Sequence, residues 1–199
     1  YGIRLYNSRG TVIEHNRIWN NRRGIVIEGS GGNILIDNII GCSQYGIELH
    51  SSSGNVIKGN IINYNIFYGI NLLSSDGNTI IENIISYQNC PSINGIGIQL
   101  DSYSDNNAIF HNNFINNTIQ AVDSGANTWD NGYPSGGNYW SHYNGTDLYR
   151  GPYQNETGSD GIGDTPLIID PNSQDRYPLI TPWSPDVAVM SVVPSETSI

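Results

Sequence analysis

The sequence has few charged residues, few sulfur-containing residues and no long apolar run. Only 13% of its 199 residues are charged, and it holds two cysteines and one methionine. The two cysteines, Cys42 and Cys90, are too few for a disulfide framework or a zinc site. Because no stretch of about 18 apolar residues occurs, the sequence predicts no membrane-spanning segment.

Basic residues are almost absent from the second half of the chain. Residues 101–199 hold twelve Asp and Glu against Arg150 and Arg176, whereas residues 1–100 hold six residues of each sign. The formal net charge is −10. Since nucleic-acid binding needs a basic face, this distribution argues against a nucleic-acid partner and is compatible with cations.

What the chain does have is an internal repeat of 22 to 23 residues. The phrases YGIELHSSSGNVIKGNII (45–62) and YGINLLSSDGNTIIENII (68–85) are nearly the same. A glycine precedes an apolar pair in each unit: Gly2, Gly24, Gly46 and Gly69. A later asparagine recurs as well: Asn16, Asn38, Asn60, Asn83 and, after a longer step, Asn113.

Each unit has three short apolar segments separated by turn-forming residues. In the first segment the apolar residues lie two apart, which is the period of a β-strand. Later apolar positions follow the asparagine: Ile18, Ile40, Ile62, Ile85 and Ile115. Three strands per unit predict one turn of a parallel β-helix, with coils about 4.8 Å apart. We expect the repeated asparagines to stack as a structural ladder.

The repeat phrases resemble those of the NosD-like group of right-handed β-helix proteins, a repeat shared with carbohydrate-binding proteins and sugar hydrolases. Residues 127–183 look like the closing segment of NosD-like proteins from archaea and bacteria. The tail PDVAVMSVVPSETSI (185–199) is similar to the first strand of a CARDB-type Ig-like adhesion domain. The resemblance implies an all-β, right-handed, single-stranded parallel β-helix of about five coils. It also implies an extracellular or cell-surface location, with a signal peptide expected upstream.

The repeat stops at Asp123, so three segments are expected: a β-helix (1–122), a cap (123–185) and a linker or first strand of a following domain (186–199). The cap holds nine of the twenty aromatic residues and seven of the nine prolines. We expect its rings to cover the last coil, whose strand edges need protection. A sugar-binding surface is the alternative, with these candidates: Trp129, Tyr133, Tyr139, Trp140 and Tyr143.

The cap also contains a candidate calcium loop. In NETGSDGIGDT (155–165), Asp160 and Asp164 flank a glycine turn, and oxygen ligands on such a turn suit Ca²⁺. An Asp/Gly turn capped by its own side chains is the other interpretation. Three N-glycosylation sequons begin at Asn116, Asn144 and Asn155.

Catalytic signals are weak. Four titratable residues occupy outward strand positions or follow them: Glu28, Glu48, His50 and Asp101. Glu28 and Glu48 could form a retaining carboxylate pair about 5 Å apart on adjacent coils, but a solvated strand face is the simpler interpretation. Asn71 and Leu73 replace Glu48 and His50 in the next unit, which argues against an enzyme.

Copper is implied by the name of the resembled family, yet the soft ligands that copper prefers are scarce here. The four histidines fall in different phases of the repeat or outside it: His15, His50, His111 and His142. We therefore do not expect a copper site.

Three functions remain open. The first is a non-catalytic cell-surface scaffold or adhesion module with glycans or other surface proteins as partners. The second is a carbohydrate-binding or polysaccharide-processing β-helix. The third is a filament subunit that self-associates head to tail through open ends of the β-helix.

Overall fold

The computed structural model describes residues 1–88 and 95–184. Every regular element in these ranges is a β-strand, and no helix there is long and apolar enough to cross a membrane. Successive strands stack in parallel as a β-solenoid of about six turns. This architecture confirms the predicted all-β parallel β-helix and adds one turn to the expected five.

The strands are numbered in chain order. The first two coils contain β1 (Ile3–Tyr6), β2 (Val12–Glu14), β3 (Arg17–Trp19), β4 (Arg23–Glu28), β5 (Ile34–Ile36) and β6 (Ile39–Gly41). The next two contain β7 (Tyr45–His50), β8 (Val56–Lys58), β9 (Ile61–Asn63), β10 (Tyr68–Leu73), β11 (Thr79–Ile81) and β12 (Ile84–Ser86). The last two contain β13 (Ile96–Leu100), β14 (Ala108–Phe110), β15 (Asn113–Ile115), β16 (Ile119–Asp123) and β17 (Tyr139–Trp140). Two short hairpins follow: β18 (Tyr149–Arg150) with β19 (Glu156–Thr157), and β20 (Leu167–Ile168) with β21 (Gln174–Asp175).

Three parallel sheets form the walls of the solenoid. Sheet I has the order β1-β4-β7-β10-β13-β16, sheet II β2-β5-β8-β11-β14, and sheet III β3-β6-β9-β12-β15-β17. Each of the first five coils contributes one strand to each sheet, so equivalent residues of the repeat lie directly above one another. For example, Ile47 pairs with Ile25 below and with Ile70 above.

The repeated glycines and isoleucines have separate structural causes. The inward isoleucines and leucines form one continuous core, in which Ile47, Ile57 and Ile62 are fully buried. The glycine column allows neighbouring coils to approach closely. A Cβ added at Gly46 would lie only 2.4 Å from the carbonyl oxygen of Gly69, so a larger residue would push the coils apart.

The predicted asparagine ladder is present at the turn between sheets II and III. Asn38 Nδ2 donates to Asn60 Oδ1, and Asn60 Nδ2 donates to Asn83 Oδ1, each at 3.0 Å. After Asn83 the ladder continues through Asn112 and Asn138, not through the expected Asn113. The coil that follows Asn83 is therefore one residue shorter than the step to Asn113 predicted. Phe114 takes the core position that was predicted for Ile115.

A second asparagine ladder lies at the turn between sheets I and II and was not predicted. It joins Asn33, Asn55, Asn78, Asn107 and Asn127 through side-chain hydrogen bonds of 2.9–3.1 Å. Both ladders satisfy buried backbone and side-chain amides coil by coil, and buried polar groups require such partners.

The solenoid continues beyond Asp123. Asn127 and Asn138 extend the two ladders, and β17 pairs with β15. The Trp140 ring stacks on Phe114 with centroids 4.3 Å apart, and Trp129 packs beside both. These rings complete a sixth turn and close the hydrophobic core at its end.

Two buried carboxylates, Asp123 and Asp130, hold the segment after the sixth turn. Asp123 accepts the indole N–H of Trp129 at 2.7 Å and the hydroxyl of Ser173 at 2.8 Å. Asp130 forms a bidentate ion pair with Arg176. Burial favours the neutral form of Asp130, but hydrogen bonds from Arg176 and Gly132 lower its pKa below the ordinary value overall.

Candidate functional site

The outer face of sheet I carries two adjacent rows of outward side chains. The strand register aligns the central row as Arg4, Val26, Glu48, Asn71, Gln99 and Val122. The second row contains Tyr6, Glu28, His50 and Leu73. Polar residues that differ between coils therefore gather on one surface of an otherwise repetitive frame.

Glu48 is the centre of this surface. Although it points away from the hydrophobic core, only 2% of its side chain is exposed. Arg23 Nε lies 2.9 Å from Glu48 Oε2, and His50 Nε2 lies 3.7 Å from Glu48 Oε1. Burial of a carboxylate is costly unless it is paired, and Arg23 supplies the opposite charge.

The hydrogen bonding of this cluster is incomplete. Glu48 Oε2, His50 Nε2 and Asn71 Oδ1 are buried atoms without a hydrogen-bond partner in the described part of the chain. The contact with Arg23 is thus an ion pair whose geometry is not that of a hydrogen bond. Buried polar atoms are usually hydrogen-bonded, so these three exceptions on neighbouring strands set this cluster apart from the fully bonded asparagine ladders.

The expected carboxylate pair does not form. Glu28 lies opposite His50 in the strand register, not opposite Glu48. It accepts a hydrogen bond from Arg4 Nε at 3.1 Å, and this bond holds the pKa of Glu28 below its usual range. Because each carboxylate is neutralised by its own arginine, the prediction of a retaining pair is wrong.

Asp101 also has a structural role. Its carboxylate accepts the backbone N–H groups of Ser74 and Tyr103 and the hydroxyl of Ser104, at 2.7–3.1 Å for the closest oxygen. These bonds close the turn after β13. The prediction that Asp101 is a catalytic candidate is therefore corrected, and Glu48 and His50 are the two candidates that the structure brings together.

Aromatic rings border the cluster on one side. Tyr45 stacks on Tyr68 with centroids 5.7 Å apart and lies 5.1 Å from Phe67. The Arg23 guanidinium lies 5.6 Å from the centroid of Tyr45. A cavity of about 150 Å³ lined by Tyr1, Arg22 and Arg23 adjoins this border. The surface thus combines ring faces, a buried ion pair and two arginines.

The predicted sugar-binding aromatics of the cap are mostly not available to a ligand. Trp129 and Trp140 are each 1% exposed, and their indole N–H groups donate to buried carboxylates. For these two residues the prediction is corrected, because they pack in the core. Tyr143 donates its hydroxyl to the carbonyl of Thr165, and Tyr139 is half-buried in β17. Tyr133 is exposed and lies 6.4 Å from the ring of Tyr177.

The acidic loop of the cap forms capped turns. Asp164 accepts the backbone N–H groups of Leu148 and Tyr149 and the hydroxyl of Thr146. Burial opposes ionisation of Asp164, but these bonds lower its pKa below the ordinary value. Asp160 caps the N–H of Ile162 in the same way. These bonds fit the interpretation of an Asp/Gly turn capped by its own side chains, and calcium binding by Asp160 and Asp164 stays a prediction.

The remaining predicted positions lie apart. Asn116, Asn144 and Asn155 are exposed, as glycosylation would require, and modification there stays a prediction. Cys42 is exposed with a free thiol, whereas Cys90 and the proposed Ig-like strand (186–199) lie outside the described residues.

Sequence reasoning missed Arg23, Tyr45 and Tyr68 because they precede the apolar pair and were treated as part of the repeat. Alignment of the units one position before Gly24, Gly46 and Gly69 shows this column directly. The burial of Glu48 could not be inferred, because it depends on side chains from three coils.

The fold and this surface define a parallel β-helix protein with a polar cluster on one outer sheet. A family model described as periplasmic copper-binding protein (NosD) matches residues 1–145. The chain belongs to the NosD family. No curated protein matches it.

Two solved structures are similar in fold. They are crystal structures of the periplasmic alginate epimerase AlgG and of one of its point mutants. Each is 22% identical to this chain, with a TM-score of 0.50 over 56% of this chain and 27% of the other. The chain thus spans about a quarter of the length of these epimerases, and at this identity the likeness concerns the fold.

The donor set does not fit the copper in the family's name. His15 lies near Asp37, and His50 near Glu48. His111 stacks on Trp183, while His142 lies beside Trp140. Within residues 1–88 and 95–184, no three His, Cys, Asp or Glu side chains are grouped to hold a metal ion. Copper therefore has no part in the function proposed below.

Proposed function

We propose that this chain is an exported, non-catalytic β-helix module that binds a uronate-containing polysaccharide along the outer face of sheet I. The observation that carries the proposal is the Glu48 cluster, in which a buried carboxylate is held between the half-buried Arg23 and His50 side chains on one face of sheet I. Hydroxyl groups of a sugar both donate and accept hydrogen bonds, so they suit the accessible edge of this cluster, where the Arg23 and His50 side chains are 28% and 29% exposed. The rigid coils hold these partners in place before the ligand arrives.

The charges favour an acidic sugar. Arg22 and Arg23 line the small cavity beside the cluster, and a planar guanidinium matches a carboxylate. The Tyr45 and Tyr68 rings provide the apolar surface on which a pyranose could pack. Among proteins of similar fold, the alginate epimerases act on a polymer of uronic acids, which makes alginate the natural first probe.

The ion pairs of Glu48 and Glu28 favour binding without turnover. Glu48 is neutralised by Arg23 and Glu28 by Arg4, so no second carboxylate is free beside the first. A rigid cell-surface spacer is the other candidate, and the two continuous asparagine ladders favour it. The two functions differ in whether sheet I recognises a sugar.

The test is affinity electrophoresis in native gels that contain alginate. We expect the wild-type chain to be retarded and Arg23→Gln/Glu48→Gln to lose about tenfold in affinity. This double variant removes both charges of the ion pair together, so neither partner is left unpaired. Lys58→Gln/Glu82→Gln is the matched control, because it removes a second ion pair, with atoms 3.4 Å apart, between β8 and the turn after β11.

Unretarded wild-type protein would reject the proposal in favour of the spacer. Equal retardation of both double variants would place the site elsewhere. After incubation with the protein, we expect the proton NMR spectrum of alginate to be unchanged, and new or altered sugar signals would contradict a non-catalytic role.

A further inference from the structure

Pairs in which asparagine or aspartate precedes glycine are reactive places in a polypeptide. The glycine nitrogen attacks the carbonyl carbon of the preceding side chain, and glycine has no side chain of its own to hinder the approach. The described residues contain four such pairs: Asp76–Gly77, Asn131–Gly132, Asn144–Gly145 and Asp160–Gly161. A fifth pair, Asn94–Gly95, begins outside the described residues. Whether a pair reacts depends on the partner of its glycine N–H.

In both aspartate pairs the glycine N–H is hydrogen-bonded. Gly77 donates to the backbone carbonyl oxygen of Asp105 at 3.0 Å. Gly161 donates to the carboxylate of Asp147 at 2.9 Å. A bond from an N–H group to a carboxylate is of the stronger, charge-assisted kind. The nitrogens of these two pairs are therefore withdrawn from reaction.

The Asn131–Gly132 pair is held at both residues. The Gly132 N–H donates to the carboxylate of Asp130 at 2.9 Å. The side-chain amide of Asn131 donates to the hydroxyl of Ser135, also at 2.9 Å. Ring closure would have to break both bonds before the nitrogen reached the side-chain carbon. The structure thus protects this pair, although Asn131 is exposed to water.

The Asn144–Gly145 pair lacks these restraints. Neither the Gly145 N–H nor the side chain of Asn144 forms a hydrogen bond within residues 1–88 and 95–184. Asn144 is exposed, and the pair lies in the loop between β17 and β18, outside any strand. Both reacting groups are therefore free to approach each other.

The packing of this loop requires the glycine. A Cβ added at Gly145 would lie 2.1 Å from the hydroxyl oxygen of Tyr143. That hydroxyl donates to the backbone carbonyl of Thr165 at 2.6 Å, which ties the loop to the acidic turns of the cap. A larger residue at position 145 would displace the Tyr143 ring and break this tie. The fold thus retains glycine after Asn144 even though the pair is reactive.

We propose that Asn144 is a deamidation site, at which the chain forms aspartate and isoaspartate through a succinimide. The Gly145 nitrogen gives its proton to water and bonds to Cγ of Asn144. The bond from Cγ to the side-chain nitrogen breaks, and that nitrogen takes up a proton and leaves as ammonia. Water then opens the succinimide at either of its carbonyl carbons, and the loop gains a negative charge. The proposal does not depend on recognition of uronates by the Glu48 cluster.

The modification competes with glycosylation and alters the loop. A glycan on the Asn144 sequon would occupy the side-chain nitrogen that leaves in deamidation, so the two modifications exclude each other. Isoaspartate adds a methylene group to the backbone two residues before Thr146. Thr146 donates its hydroxyl to Asp164 and accepts the Asp164 backbone N–H, each at 2.8 Å. The added length therefore falls beside the capped acidic turns.

The test is peptide mapping of the unglycosylated chain after long incubation at neutral pH. Chymotrypsin places Asn131 and Asn144 on different fragments, and mass spectrometry measures the deamidated fraction of each. We expect Asn144 to react at least about tenfold faster than Asn131. A tenfold rate corresponds to about 1.4 kcal/mol, which is no more than a hydrogen bond to a charged group contributes.

The unfolded chain is the matched control, because it has the same sequence without the hydrogen bonds. In guanidinium chloride we expect the two sites to react at similar rates. Equal rates in the folded chain, or the same preference for Asn144 in the unfolded chain, would overturn the proposal. Aspartate without isoaspartate at position 144 would exclude the succinimide route.

Discussion

The carboxylate of Asp175 accepts the indole N–H of Trp140 at 2.8 Å in the fully buried end of the solenoid. The same oxygen accepts the backbone N–H of Asn138 at 2.7 Å. A Cβ at Gly137 would lie 1.9 Å from the other oxygen, so only glycine fits there. Asp175 thus joins the last hairpin to the sixth turn through a residue that is hidden from solvent.

Asp175 should make stability depend on pH. Burial raises the pKa of Asp175 to about 7, even though three N–H donors oppose the shift. Because the pKa is higher in the folded state, the unfolded chain releases this proton first as pH rises. The stability that protonated Asp175 contributes to the folded state is therefore fully present below about pH 4 and is lost as the pH rises through 7.

The measurement is the free energy of unfolding between pH 5 and 8 for wild type and Asp175→Asn. We expect the difference between the two chains to shift by a few kcal/mol across this range, at about 1.4 kcal/mol per pKa unit. Asp170→Asn, in the half-buried turn before β21, is the control. A constant difference between wild type and Asp175→Asn would show that Asp175 ionises normally.

Substitutions in the asparagine ladder should destabilise the chain more where the asparagine is more deeply buried. Asn60 Oδ1 accepts from two groups of Asn38, and Asn60 Nδ2 donates to Leu35, Lys58 and Asn83. Asn60→Ala leaves buried partners without bonds, so we expect a loss of about 3 kcal/mol.

Asn16→Ala is the matched comparison, because Asn16 is half-buried in the first coil and has fewer partners. We expect a loss of about 1 kcal/mol there. Urea denaturation measures both values. Equal losses at the two positions would contradict a cooperative ladder.

The cap tryptophans should act on stability and leave sugar binding unaffected. Trp140 is 1% exposed and stacks on Phe114, so Trp140→Ala should cost about 3–5 kcal/mol. Tyr133 is 36% exposed, and Tyr133→Ala should cost less than about 1 kcal/mol. Thermal unfolding measures both, and a stable Trp140→Ala protein with reduced glycan binding would restore the sugar-binding interpretation of this ring.

The internal repeat made the stacked coils of the β-helix predictable from the sequence. The spacing of Gly46 and Gly69, and of Asn38 and Asn60, reflects contacts between identical positions of adjacent coils, and such contacts repeat in the sequence. The prediction failed by one residue at Asn113, because the longer coil breaks the spacing and Phe114 resembles the isoleucines it replaces only in being apolar.

The site was less predictable because it depends on differences between coils. Glu48 was recognised as an outward residue, but its burial comes from Arg23 and His50, which lie on two different strands. Trp129 and Trp140 are of a residue type that is common in sugar-binding surfaces. Only their packing on Phe114 shows that they belong to the core.

The central claim is that a uronate polymer lies along the outer face of sheet I. The most direct measurement is an NMR titration of the wild-type chain with an alginate hexasaccharide. We expect the largest amide shifts at Arg23, Glu48, His50 and Asn71, with Ile40 and other core amides unchanged. Shifts confined to the cap, or no shifts at saturating sugar, would contradict this binding mode.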